Sequence, residues 1–284
     1  MNVDRVEIFR SGVQVAGVHD LAEAKLILQA GATALGFPLR LPEPREDLTE
    51  DEASAVIAAC PGVPRVLITY QGDPEALAAF ADALGVDWVQ LHGEVTVDQV
   101  GALRSLRPAL GLLKALVVAG DDPAPVLAEA EAFAPLVDAF ITDTFDPRTG
   151  QRGATGRTHP WAVSRAVVAA GLAPVILAGG LEPTNVAAAI ETVQPWAVDA
   201  HTGLEGPDGR KTTAREWARE LGIFYTPTIV FFDERGREIL RVDSVVRFFR
   251  LRNVMNYIVN KGYLTEPNYQ RWRARENLIG RTRD

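Results

Sequence analysis

The chain has 284 residues, of which 47 % are hydrophobic and 23 % are charged, a composition that excludes a disordered or collagen-like protein. Residues 1–211 contain 15 basic and 28 acidic side chains and carry a net charge of −13, whereas residues 212–284 contain 14 and 9 and carry +5. Aromatic residues divide in the same way, with 10 in the first stretch and 11 in the much shorter second one. We therefore predict two unlike parts, residues 1–212 and residues 213–284.

Cys60 is the only cysteine. A single cysteine excludes an internal disulfide, a CxxC redox pair and a zinc site built from several thiolates. The charged N-terminus lacks a signal-peptide core, and no apolar run approaches the roughly 18 residues of a membrane span. We expect a cytoplasmic protein that binds no membrane, and the acidity of the larger part argues against nucleic acid as its ligand.

Short apolar runs alternate with Ala- and Leu-rich stretches from residue 13 to about residue 221. The runs lack strict alternation, which is typical of strands buried on both faces of a parallel sheet. The predicted strands are 13–18, 32–37, 65–70, 88–91, 111–117, 139–143, 174–178 and 196–200. The clearest predicted helices are 21–30, 51–59, 74–84 and 183–192. Eight such units predict an α/β fold of the (β/α)8 TIM-barrel type. An open doubly wound sheet is the alternative, but no GxGxxG follows the first strand.

The strand ends of such a barrel carry its chemistry, and the last two are rich in glycine. Glycines allow backbone N–H groups to approach an anion closely, and the loops after strands 7 and 8 of barrels frequently bind phosphate. We therefore predict a phosphate site formed by Gly179, Gly180, Thr202 and Gly203. A tight turn with no ligand is the alternative for the Gly179-Gly180 pair.

Three other strand ends supply side chains that could act on a substrate. Asp143 ends the sixth predicted strand, where partial desolvation could raise the pKa of its carboxyl and make it a general acid; a loop-capping role is the alternative. The glycine-containing loop 145–158 that follows is predicted to be a flap over the site. His92 follows the fourth strand and is a candidate acid–base group or hydrogen-bond donor to the substrate. Arg45 follows the second strand and is a candidate for binding a carboxylate or phosphate. For each of the two, an ordinary surface position is the alternative.

These strand ends, in this order, resemble those of the phosphoribosylanthranilate isomerase family, over about residues 12–212. The matching stretches are Gly31-Ala32, Leu35-Gly36-Phe37, Pro44-Arg45, Val89-Gln90-Leu91-His92-Gly93, Lys114-Ala115, Asp143-Thr144, Gly153-Ala154-Thr155-Gly156, Trp161, Leu177-Ala178-Gly179-Gly180-Leu181, Pro183, Asn185-Val186, and Val198-Asp199 with Gly203. The resemblance implies an Amadori rearrangement in tryptophan biosynthesis. Enzymes of the family open a phosphoribosyl amine and move a proton from sugar C2, which gives an enol-amine and then a ketone.

The resemblance also implies roles for individual residues. Asp143 corresponds to the aspartate that protonates the ring oxygen. The positions of Arg45, His92 and Asp199 line the substrate, and the glycines after the last two strands belong to the phosphate site. No cofactor is expected, and no metal is expected because the four histidines lack ligand-like spacing with carboxylates.

The first strand departs from the family pattern, which ends Lys-Ile-Cys-Gly-Ile-Thr and whose cysteine takes the C2 proton. This chain has Gln14-Val15-Ala16-Gly17-Val18-His19, and the methyl group of Ala16 cannot accept a proton. The family's Ser-Ser-Gly after the last strand is replaced by His201-Thr202-Gly203. The binding pocket is thus matched while half of the acid–base pair is missing.

Three hypotheses follow from this departure. The chain is a working isomerase in which His19, His92 or His201 replaces the cysteine; or it catalyses a different reaction on a related phosphorylated ligand; or it binds such a ligand without turnover. In each case the expected partner is a small phosphorylated molecule, a sugar-amine for the isomerase. The expected assembly is a monomer or a homodimer.

Residues 213–260 resemble the second half of a thioredoxin-like domain, through a run over 221–233 that contains Thr226-Pro227. We predict strands over 223–232 and 237–242, a turn at 233–236 and a helix over about 245–260. The resemblance implies that Pro227 is cis. The half of that fold that carries the CxxC motif is absent, so no redox function is implied. The complete prediction is a TIM barrel with a partial thioredoxin-like C-terminal extension.

Overall fold

The computed structural model describes residues 9–10, 12–41, 47–144, 158–206, 209–211, 229–232, 238–242, 254–255, 257–266, 268–269 and 271–272. The chain divides into two compact units, residues 1–216 and residues 217–284. The change in charge and aromatic content near residue 212 lies close to this division. No helix in the described ranges has both the length and the apolar content needed to cross a membrane.

Eight parallel strands of the first unit close into a barrel in chain order. They are β1 Val13–Ala16, β2 Ala34–Pro38, β3 Arg65–Thr69, β4 Trp88–Leu91, β5 Gly111–Val118, β6 Ala139–Thr144, β7 Val175–Leu177 and β8 Ala197–Ala200. Pairing of β1 with β8 completes the closure, with Gln14 opposite Asp199. The predicted TIM barrel is confirmed, and each predicted strand is present with ends shifted by at most two residues.

Helices follow the strands and cover the outside of the barrel. They are α1 Leu21–Gln29, α2 Glu50–Ala59, α3 Pro74–Leu84, α4 Val97–Leu106, α5 Ala124–Phe133, α6 Trp161–Ala170 and α7 Val186–Val193. Thr49 and Thr96 begin α2 and α4 with capping boxes, in which the threonine and the third helical residue satisfy each other's backbone N–H. Such a cap contributes about 1 kcal/mol.

The predicted helix 183–192 is wrong at its start, because the helix begins at Val186. Asn185 holds the preceding residues in a turn. Its Oδ1 accepts a hydrogen bond from the N–H of Glu182, and its Nδ2 donates to the carbonyl of Gly180. The segment 182–185 therefore belongs to the loop after β7.

Two apolar layers make up the core of the barrel unit. The larger layer packs the outer face of the strands against the helices. The smaller layer fills the barrel interior and includes Ala16, Ile141 and Ala197. Because side chains two positions apart on a strand share a face, Gln14, Asp143 and Asp199 continue this interior series. Polar groups at these positions therefore point into the barrel.

The second unit contains a short antiparallel pair, β9 Ile229–Phe232 and β10 Glu238–Val242. It agrees with the predicted strands over the described residues. A separate aromatic cluster surrounds Tyr257, whose hydroxyl donates to the Glu266 carbonyl and whose ring contacts those of Tyr263, Tyr269 and Trp272. Pro227 and most of the predicted helix 245–260 lie outside the described residues, and the thioredoxin-like assignment stays a prediction.

Candidate functional site

The loops after β6, β7 and β8 touch one another at the carboxyl end of the barrel. A Cβ atom added at Gly179 would overlap the Thr144 hydroxyl and lie 3.0 Å from His159 Nδ1. A Cβ atom added at Gly203 would overlap the carbonyl oxygen of Leu181. Glycine is required at both positions because neighbouring loops approach the backbone so closely.

Two consecutive glycines shape the loop after β7. Gly179 has a φ of 89° and Gly180 a φ of 60°, in the left-handed region that favours glycine. The adjoining loop after β8 is the 3₁₀ helix Thr202–Leu204. The four residues predicted to bind phosphate therefore lie in two adjoining loops, and irregular backbone of this kind can present N–H groups to an anion.

Asp143 is the last interior side chain of β6. It is 7 % exposed, and its Oδ1 accepts a 2.7 Å hydrogen bond from the N–H of Thr144. Ala139 and Ile141 precede it on the same face, so the carboxyl lies at the mouth of the barrel. Arg45 and nearly all of the predicted flap 145–158 fall outside the described residues.

A buried chain of hydroxyl and imidazole groups lies behind Asp143. Thr144 Oγ1 is 3.2 Å from His159 Nδ1, and His159 Nε2 is 2.6 Å from Ser164 Oγ. The Ser164 hydroxyl donates to Thr142 Oγ1 over 2.9 Å. Burial lowers the pKa of His159 to about 4, so its ring is neutral near pH 7. These hydrogen bonds connect α6 to the end of β6 and thereby position the backbone that carries Asp143.

Gln14 and Gln90 connect opposite walls of the barrel interior. Gln14 Nε2 on β1 donates to Gln90 Oε1 on β4 over 2.9 Å, and these strands are not neighbours in the sheet. Gln14 also lies opposite Asp199 and favours the ionised form of its carboxyl, and Gln90 Nε2 lies 2.7 Å from His92 Nε2. These four buried side chains form what we call the interior polar chain.

The interior polar chain determines which His92 nitrogen carries the proton. Gln90 Oε1 accepts from Gln14, so Gln90 Nε2 is the donor to His92 Nε2 and the ring proton lies on Nδ1. Burial, with a smaller contribution from Lys114, lowers the pKa of His92 to about 3. Nδ1 is buried and has no hydrogen-bond partner among the described residues. His92 therefore offers one unused N–H donor from a neutral ring.

Asp199 lies at the other end of the interior polar chain. Burial raises its pKa to about 6, although Gln14, His201 and Lys211 act in the opposite direction. Its Oδ1 is buried and, in the part of the chain that is described, has no hydrogen-bond partner. A neutral amide compensates a buried carboxylate only in part, which explains the raised pKa.

His19 and His201 lie on either side of Asp47 at the ends of β1 and β8. His19 Nε2 is 3.4 Å from Asp47 Oδ1, and His201 Nε2 is 3.9 Å from Asp47 Oδ2. His19 Nδ1 is also 3.0 Å from Glu23, and His201 Nε2 is 3.1 Å from Glu205. His19 thus directs both ring nitrogens at carboxylates, and His201 directs Nε2.

Lys211 fastens the loop after β8 to the loop after β1. Its Nζ is 2.7 Å from Glu205 Oε1, and its backbone N–H donates to Glu23 Oε1 over 2.7 Å. Glu23 in turn accepts from the N–H of His19. Burial alone would raise the pKa of Glu205, but hydrogen bonds from His201 and Lys211 outweigh it and lower the pKa to about 2. Glu205 is therefore a stable anion in this cluster.

The sequence model of the N-(5'-phosphoribosyl)anthranilate isomerase family matches residues 13–215, which span the whole barrel. The chain belongs to this family. The isomerase of Haloferax volcanii is 39 % identical and isomerase 2 of Methanosarcina mazei 35 % identical, each over 201 residues. These matches cover 70 % of this chain and 86 % and 88 % of the relatives. The solved structure of the Thermus thermophilus isomerase superimposes with a TM-score of 0.59 at 27 % identity, covering 74 % of this chain and 99 % of that one.

This isomerase barrel thus places Asp143, His92, Asp199 and both glycine loops at the carboxyl ends of its strands. The sequence patterns did not predict a functional role for the interior amides Gln14 and Gln90. A usable signal existed, because each is a polar residue in an apolar strand, two positions before Ala16 or His92. His159 had no such signal, because its partners come from other elements and meet it only in the folded isomerase.

Proposed function

We propose that the barrel catalyses the Amadori rearrangement of N-(5'-phosphoribosyl)anthranilate in tryptophan biosynthesis. The observation that carries this proposal is the position of the interior carboxyl of Asp143 at the same rim as the two adjoining glycine loops, in a barrel of this family. The substrate has a phosphate to match the loops and a ring oxygen to match the carboxyl.

The loops after β7 and β8 bind the substrate phosphate in this proposal. Backbone N–H groups at Gly179, Gly180 and Gly203 and the hydroxyl of Thr202 are the donors. The close approach of these loops to one another supports the assignment, because it leaves little backbone freedom to lose on binding. Anchoring the phosphate orients the ribose toward the barrel mouth.

Ring opening is assigned to Asp143 as general acid. Its protonated carboxyl donates to the ring oxygen as the bond between that oxygen and C1 breaks, and the nitrogen lone pair forms a C1=N iminium. The buried position of Asp143 favours this role, because a desolvated acid transfers its proton to a nearby oxygen rather than to water. His92 contributes the unused Nδ1–H as a donor to a substrate oxygen. Arg45 is proposed to line the substrate.

The second step requires a base that removes the C2 proton. Ala16 occupies the position of the family's cysteine and is part of the apolar interior cluster. A general base typically contributes 10²- to 10⁴-fold in rate, so its replacement decides how fast the chain can turn over. The Ala16→Cys variant restores a thiol at that position. The ratio of its turnover rate to that of the native chain shows how much rate the native chain loses without the cysteine.

An assay with N-(5'-phosphoribosyl)anthranilate tests the proposal on the full native chain and on Ala16→Cys. We expect turnover by both, with the variant faster. No turnover by the native chain but clear turnover by Ala16→Cys contradicts isomerase activity of the native chain and favours a barrel that binds a phosphorylated ligand or acts on a different one. If neither protein turns over the substrate and inorganic phosphate raises the Tm of neither, the proposed binding site is contradicted as well. Light scattering of the same samples distinguishes the monomer from the homodimer.

A further inference from the structure

We propose that Asp199 is the general base that removes the C2 proton in place of the missing cysteine. This inference rests on the proposed function and assigns a catalytic role to a carboxyl that the family resemblance placed only along the substrate. Its support comes from the interior polar chain, from the position of Ala16 and from the contacts of the three histidines.

The position of Asp199 is set by the pairing of β8 with β1. Gln14 lies opposite Asp199, and Ala16 follows Gln14 on the same interior face, about 7 Å further toward the mouth. Asp199 is thus an interior carboxyl on the neighbouring strand, one layer of side chains below the methyl group that replaces the thiol. The Ala16 methyl group is buried in the apolar interior cluster and has no atom that could accept a proton.

One oxygen of the Asp199 carboxyl has no hydrogen-bond partner among the described residues. The Gln14 amide favours the ionised form of the carboxyl, and the unpartnered Oδ1 atom is buried. The family pattern has lysine where this chain has Gln14, so no ammonium group neutralises the carboxylate at that position. His201 and Lys211 also favour the ionised carboxyl, and both contact Glu205. A pKa of about 6 makes the ionised group more basic than an ordinary aspartate while it stays largely ionised at neutral pH.

The three histidines are less well placed to act as the base. His19 directs one nitrogen at Glu23 and the other at Asp47. His92 holds a proton on Nδ1 and accepts from Gln90 at Nε2. His201 faces Gly17 with its Nε2 and Cδ2 edge, so its second nitrogen is on the opposite side of the ring from β1. These contacts favour Asp199 over any of them.

The charge of the intermediate also favours a carboxylate. After ring opening the substrate carries a positive iminium nitrogen, which attracts an anionic carboxylate more strongly than a neutral imidazole. Asp199 Oδ1 takes the proton from C2, the C2–H electron pair forms C1=C2, and the C1=N electron pair moves onto nitrogen. The enol-amine then loses its 2-hydroxyl proton and gains one at C1, giving the ketone. Asp199 releases its proton to solvent and Asp143 regains one, so the reaction is a balanced isomerisation.

The test compares full-length Asp199→Asn, Ala16→Cys and the double variant with the native chain. Asp87→Asn is the matched control, because Asp87 is exposed, lies just before β4 and pairs with Arg65. We expect kcat of Asp199→Asn to fall 10²- to 10⁴-fold with KM changed less than threefold, and Asp87→Asn to match the native chain. We expect the double variant to recover at least tenfold, since the thiol supplies a base that does not depend on Asp199. A merely structural role for Asp199 would not be rescued in this way.

Three results overturn the proposal, and they are distinguishable. Turnover by Asp199→Asn within threefold of the native chain shows that another group is the base, and His19→Gln and His201→Gln then identify it. A loss in Asp199→Asn that Ala16→Cys does not rescue assigns Asp199 a structural role. No turnover by the native chain overturns the proposed function itself. Thermal unfolding of each variant verifies that it is folded.

Discussion

Gln14 lies opposite Asp199 in the register of β1 and β8, and its buried side-chain amide favours the ionised form of that carboxyl. The same amide reaches across the barrel to Gln90, which bonds His92. One glutamine thus links the two ends of the interior polar chain. The consequences can be measured as stability, as a ring tautomer and as rate.

The pKa of Asp199 predicts a pH-dependent gain in stability on Asp199→Asn. A carboxyl whose pKa rises from 3.8 to about 6 on folding holds its proton more tightly in the folded state, so it destabilises the fold increasingly as pH rises from about 4 to about 6. Two pKa units correspond to about 3 kcal/mol. We expect Asp199→Asn to raise the free energy of unfolding by up to that amount at pH 7.5 and to leave it unchanged below pH 4, measured by urea denaturation. A variant that is less stable at pH 7.5 would contradict the raised pKa.

His92 is expected to stay neutral, with its proton on Nδ1, down to about pH 4. Burial lowers its pKa to about 3, and Gln90 donates to Nε2. Nitrogen-15 NMR of the imidazole reports both the tautomer and the charge. Gln90→Leu removes the donor to His92 Nε2, so the ring should no longer favour the tautomer with its proton on Nδ1. Because that N–H is the proposed donor to the substrate, we expect KM to rise by about tenfold. Observation of a proton on Nε2 in the native chain would count against the interior polar chain.

Asp143→Asn should lose kcat by 10²- to 10⁴-fold, because an amide cannot protonate the ring oxygen. Binding of inorganic phosphate, measured by thermal shift, should change less than threefold, because phosphate is assigned to the loops after β7 and β8. Asp82→Asn is the control, since Asp82 is an exposed carboxylate paired with Arg107. Retention of near-native kcat by Asp143→Asn would remove Asp143 from the acid role.

Gly203→Ala should weaken inorganic phosphate binding by more than tenfold and lower Tm. The added Cβ would overlap the backbone carbonyl of Leu181, and backbone cannot move aside as a flexible side chain does. Gly120→Ala is the matched control, because nothing lies within 4 Å of its Cβ position. Unchanged phosphate binding in Gly203→Ala would place the anion elsewhere.

Lys211→Met should destabilise the barrel by about 3 kcal/mol at pH 7, because it leaves Glu205 with one fewer cation in a partly buried cluster. The pKa of Glu205 is about 2 when folded and 4.5 in its ordinary state, so its contribution to stability is present above pH 4.5 and lost as pH falls toward 2. The difference between native chain and variant should therefore shrink in acid. A difference independent of pH would indicate lost packing instead.

Particular residues show how far the sequence led toward the site. Asp143 and the glycines after β7 and β8 could be found because a barrel rule assigns function to strand ends, and strand ends are visible as local changes from apolar to polar residues. Gln14 and Gln90 could have been found from interior periodicity alone. The Thr144–His159–Ser164 chain could not, because its members are separated in sequence and their hydrogen bonds depend on how α6 packs on β6.

The sequence by itself determined the eight repeated units, the barrel and the order in which functional residues follow its strands, because apolar periodicity and glycine positions are local properties of the chain. Only the tertiary structure decided the protonation of these residues. Gln14 and Gln90 are 76 positions apart and meet because the barrel closes. Burial and hydrogen bonding together set the pKa of Asp199 and the tautomer of His92, and both depend on which groups the closed barrel brings together.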